Sequence, residues 1–152
     1  MTTYAFPPGG LPDQTVSPVG TAVFTQAYAV IPAEVQRDIV TSFLPGWVNT
    51  RAWILARPLS GFAETFAQYA VELSPEGGSD TPEPDVDAQA ILFVTHGTAH
   101  LTIGSDTHSL TAGGYAFIPP GTHWSLWNRD AQPCGVHWIR KRHVQVLSLI
   151  HI

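Results

Sequence analysis

From residue 22 onward the apolar positions come in short runs, each closed by Gly, Pro, Asp or Asn. The run "AVFTQAYAVI" (22–31) is β-branched and aromatic, which predicts a strand ended by Pro32. "RDIVTSFL" (37–44) and "RAWILARPL" (51–59) predict further strands, parted by the turn signal "PGWVN". The composition of "GFAETFAQYAVEL" would suit a helix. Its place between strand-like runs, and an imperfect alternation through Phe62, Glu64, Phe66, Gln68, Ala70 and Glu72, favour a strand. Then follow "AILFVTHG", "TAHLTIG", "THSL", "GGYAFIPPG", "HWSLWN" and "CGVHWIRKRH", separated by turn residues. Short strands at such even spacing predict an all-β domain, a sandwich or a closed antiparallel barrel of the jelly-roll type.

The ends of the chain read differently. Pro7, Pro8, Gly9, Gly10, Pro12, Pro18 and Gly20 predict an extended arm over 1–21, ahead of one domain over 22–146. The last residues, "LSLIHI" (147–152), are apolar where a chain end is usually polar. Read back into codons, they match the in-frame translation of a common transposon-end sequencing adapter. They are therefore expected to be read-through, not native protein, and are set aside from fold reasoning.

Composition narrows the function classes. A chain of 152 residues is about one domain long, and 44% hydrophobic against 12% charged residues argues against disorder. With 13 Gly and 13 Pro there is little room for long helices. The net charge of -5 gives no footprint for nucleic acid, and "RKRH" (140–143) reads as the solvated end of a strand. A single cysteine, Cys134, excludes an internal disulfide and a cysteine-based zinc site. Between Pro133 and Gly135 it is expected in a turn, with no base to activate it. No basic region precedes an apolar run and no apolar stretch nears ~20 residues, so a soluble, cytoplasmic protein without a membrane partner is expected.

The segment "GGYAFIPPGTHWSLWN" (113–128) carries Gly113, Pro119, Gly121 and Asn128 at the spacing of the second cupin motif, and the chain from residue 71 to 128 resembles the cupin superfamily. That resemblance implies a small antiparallel jelly-roll barrel, a double-stranded β-helix. Its metal-ligand positions are empty here. The histidine of the second motif is replaced by Trp124, and His123, one residue early on an alternating strand, should face the other way. The first motif, "GGSDTPEPDVDAQAILFVTHG" (77–97), opens on what reads as a flexible Gly-Gly turn. Counting back from its closing Gly97 puts Ala90, Val86 and Pro84 where glutamate and two histidines would stand. Glu83, Asp85 and Asp87 could at most form an all-oxygen site in a Pro-broken loop, and a solvated acidic loop is the simpler expectation.

The other chemistry-bearing residues add no site. His96 and His100 straddle a strand turn, His108 lies in an expected hairpin, and His137 and His143 on the last strand are too far apart for one ion. No serine sits in a nucleophile elbow and no glycine-rich loop cradles a phosphate. A pocket, if open, is expected to be lined by Phe93, Phe117 and Trp124.

A wider set of segments, "VFTQAYAVIP", "NTRAWILARPLSGFAETFAQY", "GGSDTPEPD" and "HWIRKR" among them, is similar to the N-terminal half of the ureidoglycine aminohydrolase family over 22–142. The resemblance implies a two-cupin parent that hydrolyses (S)-ureidoglycine to (S)-ureidoglycolate and ammonia in allantoin and purine breakdown. It implies manganese in the C-terminal cupin, and an N-terminal cupin that is structural and holds no catalytic, cofactor or metal residue. The implied partners are that second cupin, covering the strands over 22–31 and 37–44, and further copies of the chain. The alternatives are a stand-alone metal-free module with an aromatic-lined pocket, and a metal-dependent cupin using Glu83, Asp85 and Asp87.

Overall fold

The computed structural model describes residues 22–25, 28–33, 44–56 and 65–145. The expected arm over 1–21, nearly all of the strand predicted over 37–44 and the terminal 147–152 lie outside them. The chain divides into two compact units, Met1–Val40 and Thr41–Ile152.

In the first unit the single strand predicted over 22–31 is instead a hairpin. β1 (Val23–Phe24) pairs antiparallel with β2 (Ala29–Val30). The reversal is local. Thr25 N–H donates to the Tyr28 carbonyl at 2.9 Å, and the Tyr28 N–H donates to Thr25 Oγ1 at 2.9 Å. Such side-chain-to-backbone bonds let threonine turn a chain that carries no Gly or Pro at the bend.

The second unit is an all-β, nearly closed antiparallel barrel, with no helix among the described residues. Its strands are β3 (Val48–Ala56), β4 (Ala67–Ser79), β5 (Ala88–His96), β6 (Thr98–Ile103), β7 (Asp106–Thr111), β8 (Tyr115–Ile118), β9 (Trp124–Trp127) and β10 (Cys134–Arg142). Hydrogen bonding runs in the order β7, β6, β9, β4, β10, β5, β8, with β3 on the free side of β4. Of the segment over 61–73 with helix-like composition, 61–64 lie outside the described residues, and 67–73 are strand, paired by both β3 and β10.

Long β4 holds the jelly roll together because it changes pairing partners along its length. Its first half lies between β3 and β10, with Val71 opposite both Ala52 and Val136. Its last residues, Gly78 and Ser79, pair with Trp127 and Leu126 of β9, while Gly78 stays opposite Val48 of β3. The Gly-Gly pair expected as a flexible turn is therefore buried strand. A Cβ on Gly78 would sit 2.8 Å from Trp127 Cα and closer still to the Leu126 carbonyl oxygen. Only glycine permits that approach, and its φ of +153° disfavours any other residue as well.

Alternation along the strands fills the barrel interior. Ala52, Val71, Leu73, Ala90, Leu92, Val94, Leu101, Ile118, Leu126, Val136 and Trp138 form one buried cluster. Asn128 joins them fully buried and fully bonded. Its Nδ2 donates to the carbonyls of Leu73 at 3.0 Å and Gln132 at 2.7 Å, while Oδ1 accepts from the Asp130 N–H at 2.9 Å. Its own N–H donates to the Gly77 carbonyl at 2.8 Å, so one residue at the end of β9 ties β4 to the following loop.

Gly78→Ala is expected to destabilise the chain by about 3 kcal/mol, as forced overpacking against backbone does. Gly104→Ala, where a new Cβ meets nothing within 4 Å, should cost only the left-handed strain of about 1 kcal/mol. Urea midpoints of the two variants check the ranking.

Candidate functional site: barrel interior and mouth

The four positions at which cupin metal ligands would stand are not brought together. Ala90 and Trp124 are buried in the barrel, whereas Pro84 and Val86 are exposed on the loop between β4 and β5. Trp124 occupies the interior with its ring 6.0 Å from that of Trp138, nearly edge-on. Trp138 also meets Trp47 at 5.6 Å and Tyr69 at 5.3 Å. These tilted and edge-to-face contacts favour packing over an open cavity. Among the described residues, no three His, Cys, Asp or Glu side chains are placed to hold one metal ion. The side chains at those four positions offer manganese no ligand atom.

The pocket expected from Phe93, Phe117 and Trp124 does not form. Phe93 and Phe117 are 44% and 49% exposed, while Trp124 is buried. Register gives the reason: Leu92 and Val94 point inward, which sends Phe93 to the outer face beside its partner Tyr115. Phe117, opposite Ile91 on β5, shares that outer face.

The interior does admit charge at one end of the barrel. Inward-facing residues of β10 run Val136, Trp138, Arg140, and Arg140 meets Glu83 of the β4–β5 loop. The Glu83 side chain is only 4% exposed, so the acidic loop is not simply solvated. Glu83 Oε1 also accepts the Asp85 N–H at 3.0 Å. Arg142 reaches Asp85 at 3.3 Å and Asp87 at 3.4 Å. Thus "RKRH", expected to be free in solvent, contributes two arginines to a clasp over the barrel mouth. The backbone adds to it, with Gly121 N–H donating to the Val86 carbonyl at 2.6 Å and His143 N–H to the Asp87 carbonyl at 2.8 Å. No sequence signal pairs residues so far apart.

His123, beside the buried Trp124, is exposed. It borders a cavity of about 40 Å³ at the clasp, walled by Glu83, Asp85, Val86, Ala88, Gly121 and Thr122. His96 bonds its neighbour Thr95 at 3.1 Å. His100 lies between Ser109 at 3.3 Å and Asp130 at 3.7 Å. His108 and His143 are exposed. His137 Nδ1 accepts from Gln68 Nε2 at 3.4 Å, and burial pushes its pKa below the ordinary value. Cys134, expected in a turn, begins β10 and is fully buried, with its thiol pushed up to about 11 by burial and then by Asp130.

Comparison with known proteins gives a consistent picture. Residues 70–140 match the cupin domain family. The chain is 29% identical over 108 residues to an (S)-ureidoglycine aminohydrolase of Escherichia coli (strain K12), and 32% identical over 106 residues to one of Arabidopsis thaliana. Those alignments cover 71% and 69% of this chain but only 41% and 33% of the relatives. A solved Pseudomonas aeruginosa structure, described as a glyoxylate-induced protein, matches with 54% identity and a TM-score of 0.77. That match covers 88% of this chain and 50% of the other, so the chain spans half or less of each of these three relatives. Among the described residues, no helix is long and apolar enough to cross a membrane.

Two predictions follow from the buried titratable groups. At pH 8 roughly one Cys134 thiol in a thousand is ionised, so a disulfide reagent should label the native chain only as fast as it opens and label the urea-unfolded chain at once. Because the folded-state pKa of His137 lies below the unfolded one, the unfolded chain takes up its proton first. Stability is therefore undiminished well above pH 6.5 and falls as pH drops through that value towards the folded pKa. His137→Gln should flatten the loss of the urea midpoint between about pH 7 and 5.

Proposed function

Because residues 70–140 match the cupin domain family and the chain resembles (S)-ureidoglycine aminohydrolases over about 70% of its length, we infer that it is the metal-free, structural cupin of such an enzyme. The parent reaction replaces the amino group of (S)-ureidoglycine with a hydroxyl from water, giving (S)-ureidoglycolate and releasing ammonia. A manganese ion in the partner cupin would orient the substrate and polarise the reacting group. This chain's residues would supply a rigid barrel against which that second cupin is positioned, and further copies would complete the assembly.

The observation that carries this reading is the interior. Where a metal-binding cupin needs converging ligands, Ala90 and Trp124 are packed into an aromatic cluster with Trp138. A ligand-binding module would need an open barrel, and the outward Phe93 and Phe117 leave that reading without its pocket. The metal-dependent alternative loses its ligands, because Glu83, Asp85 and Asp87 are engaged by arginines.

In the assay, the 152-residue chain alone should retain no manganese after dialysis and release no ammonia from (S)-ureidoglycine. The product of the intact gene should do both. Turnover or stoichiometric manganese in the short chain would overturn the reading, as would a full-length product inert towards this substrate.

A further inference from the structure

The outer side of the β6–β7 hairpin carries a serine, a histidine and an aspartate in series. Ala99 and Leu101 of β6 turn into the barrel, so His100 lies on the opposite face, directly across from Ser109 of β7. Ser109 Oγ and His100 Nδ1 are 3.3 Å apart. The other ring nitrogen, Nε2, is buried with no hydrogen-bond partner among the described residues, and Asp130 Oδ1 stands 3.7 Å from it. Asn128 holds the aspartate in place: its Oδ1 accepts the Asp130 N–H at 2.9 Å, while its Nδ2 donates to the Gln132 carbonyl at 2.7 Å. A carboxylate facing Nε2 favours the neutral tautomer with its proton on that nitrogen, which leaves Nδ1 to accept from the Ser109 hydroxyl.

The hairpin supplies a further donor. Ile103 and Asp106 close a two-residue turn, and pairs along an antiparallel ladder alternate between hydrogen-bonded and non-hydrogen-bonded. Counting back from the turn, His100 and Ser109 form a non-hydrogen-bonded pair, where side chains come closest and backbone groups point outward. Because β7 ends the hydrogen-bonded order of the sheet, the Ser109 N–H faces the free edge, beside its own exposed side chain. That N–H is available to an oxyanion forming on a carbonyl that Ser109 attacks.

We propose that Ser109 is a nucleophile for acyl transfer from small carboxylic esters, with His100 as its general base and Asp130 as the positioning residue. Ser109 Oγ bonds to the ester carbonyl carbon as its proton passes to His100 Nδ1. Asp130 stabilises the imidazolium so formed, which then gives the proton to the departing alkoxide. Water, deprotonated by the same nitrogen, next attacks the acyl carbon, the bond to Ser109 Oγ breaks, and the carboxylic acid leaves as the hydroxyl is restored. Ser109 is exposed, so the site takes small activated esters, and surrounding water weakens the electrostatic assistance and keeps turnover slow. This chemistry uses the outer face of the barrel and is independent of the aminohydrolase reading.

The test is incubation of the full 152-residue chain with p-nitrophenyl acetate, following nitrophenolate release and mapping the acetyl group by mass spectrometry. Ser105, in the same hairpin but bonded to Asp106 at 3.4 Å rather than to an imidazole, is the internal control. Ser109 should be acetylated about a hundredfold faster than Ser105, the gain a positioned base supplies. His100→Gln should bring Ser109 down to the rate of Ser105, and Asp130→Asn should slow it by about tenfold. Ring ¹⁵N shifts should place the neutral His100 proton on Nε2 in the native chain and move it towards Nδ1 in Asp130→Asn, a change that loss of a merely structural contact would not produce. Should His100→Gln fail to fold, the ratio of the two serines and the native tautomer decide. Equal labelling of Ser109 and Ser105, an acetyl group on His100 or Lys141 in place of Ser109, or a native His100 proton on Nδ1 would each overturn the proposal.

Discussion

The close crossing of β4 over β9 is the constraint on which the rest of the structure depends. One strand can change partners along its length only if it comes near enough to each, and Gly77 and Gly78 remove the side chains that would hold it off. Asn128 then fixes the crossing by bonding the Leu73 carbonyl on one side and the Gln132 carbonyl on the other. With that junction made, β10 can pair with β4 and β5 together, and the barrel closes around the inward residues of all three. A shift of one residue at the junction would exchange the core and solvent faces of β4.

Closure leaves an interior to be filled, and the chain fills it in two ways. Through the middle it uses aromatic and aliphatic bulk, with Trp138 touching Trp124, Trp47 and Tyr69. At the mouth it uses an ion pair between buried Glu83 and half-buried Arg140. Such a pair contributes modestly to stability when intact, because desolvation offsets most of the attraction, but losing either partner costs about 3–5 kcal/mol. Its neighbour Arg142 is largely exposed, so its bonds to Asp85 and Asp87 add little and weaken with salt.

Much of this was legible in the sequence, and the reasons for the rest are physical. The strands between 88 and 142 stand out because turn residues bracket each run, and the second motif's Gly113, Pro119, Gly121 and Asn128 fix the fold family. The hairpin at Thr25 carries no Gly or Pro, so nothing in composition separates it from a continuous strand. A Gly-Gly pair signals either a turn or a close approach, and only the position of β9 decides between them. In "AILFVTH" both alternating sets are apolar, which hides whether Leu92 and Val94 or Ile91 and Phe93 face the core. That the motif's ligand positions carry Ala90 and Trp124 could be read directly, because a motif position has a fixed parity. The pairing of Glu83 with Arg140 could not, because it joins residues far apart in the chain.

The aromatic cluster also gives the barrel an optical property. Four rings lie within 6.0 Å of at least one neighbour at fixed tilts, and their electronic transitions couple through space. Coupled chromophores held in one chiral arrangement generate near-ultraviolet dichroism that independent, rotating rings do not. Because Trp47 precedes β3, Tyr69 lies on β4, Trp124 on β9 and Trp138 on β10, the signal belongs to the closed barrel and to no single strand. The same side chains that pack the interior make its closure visible from outside.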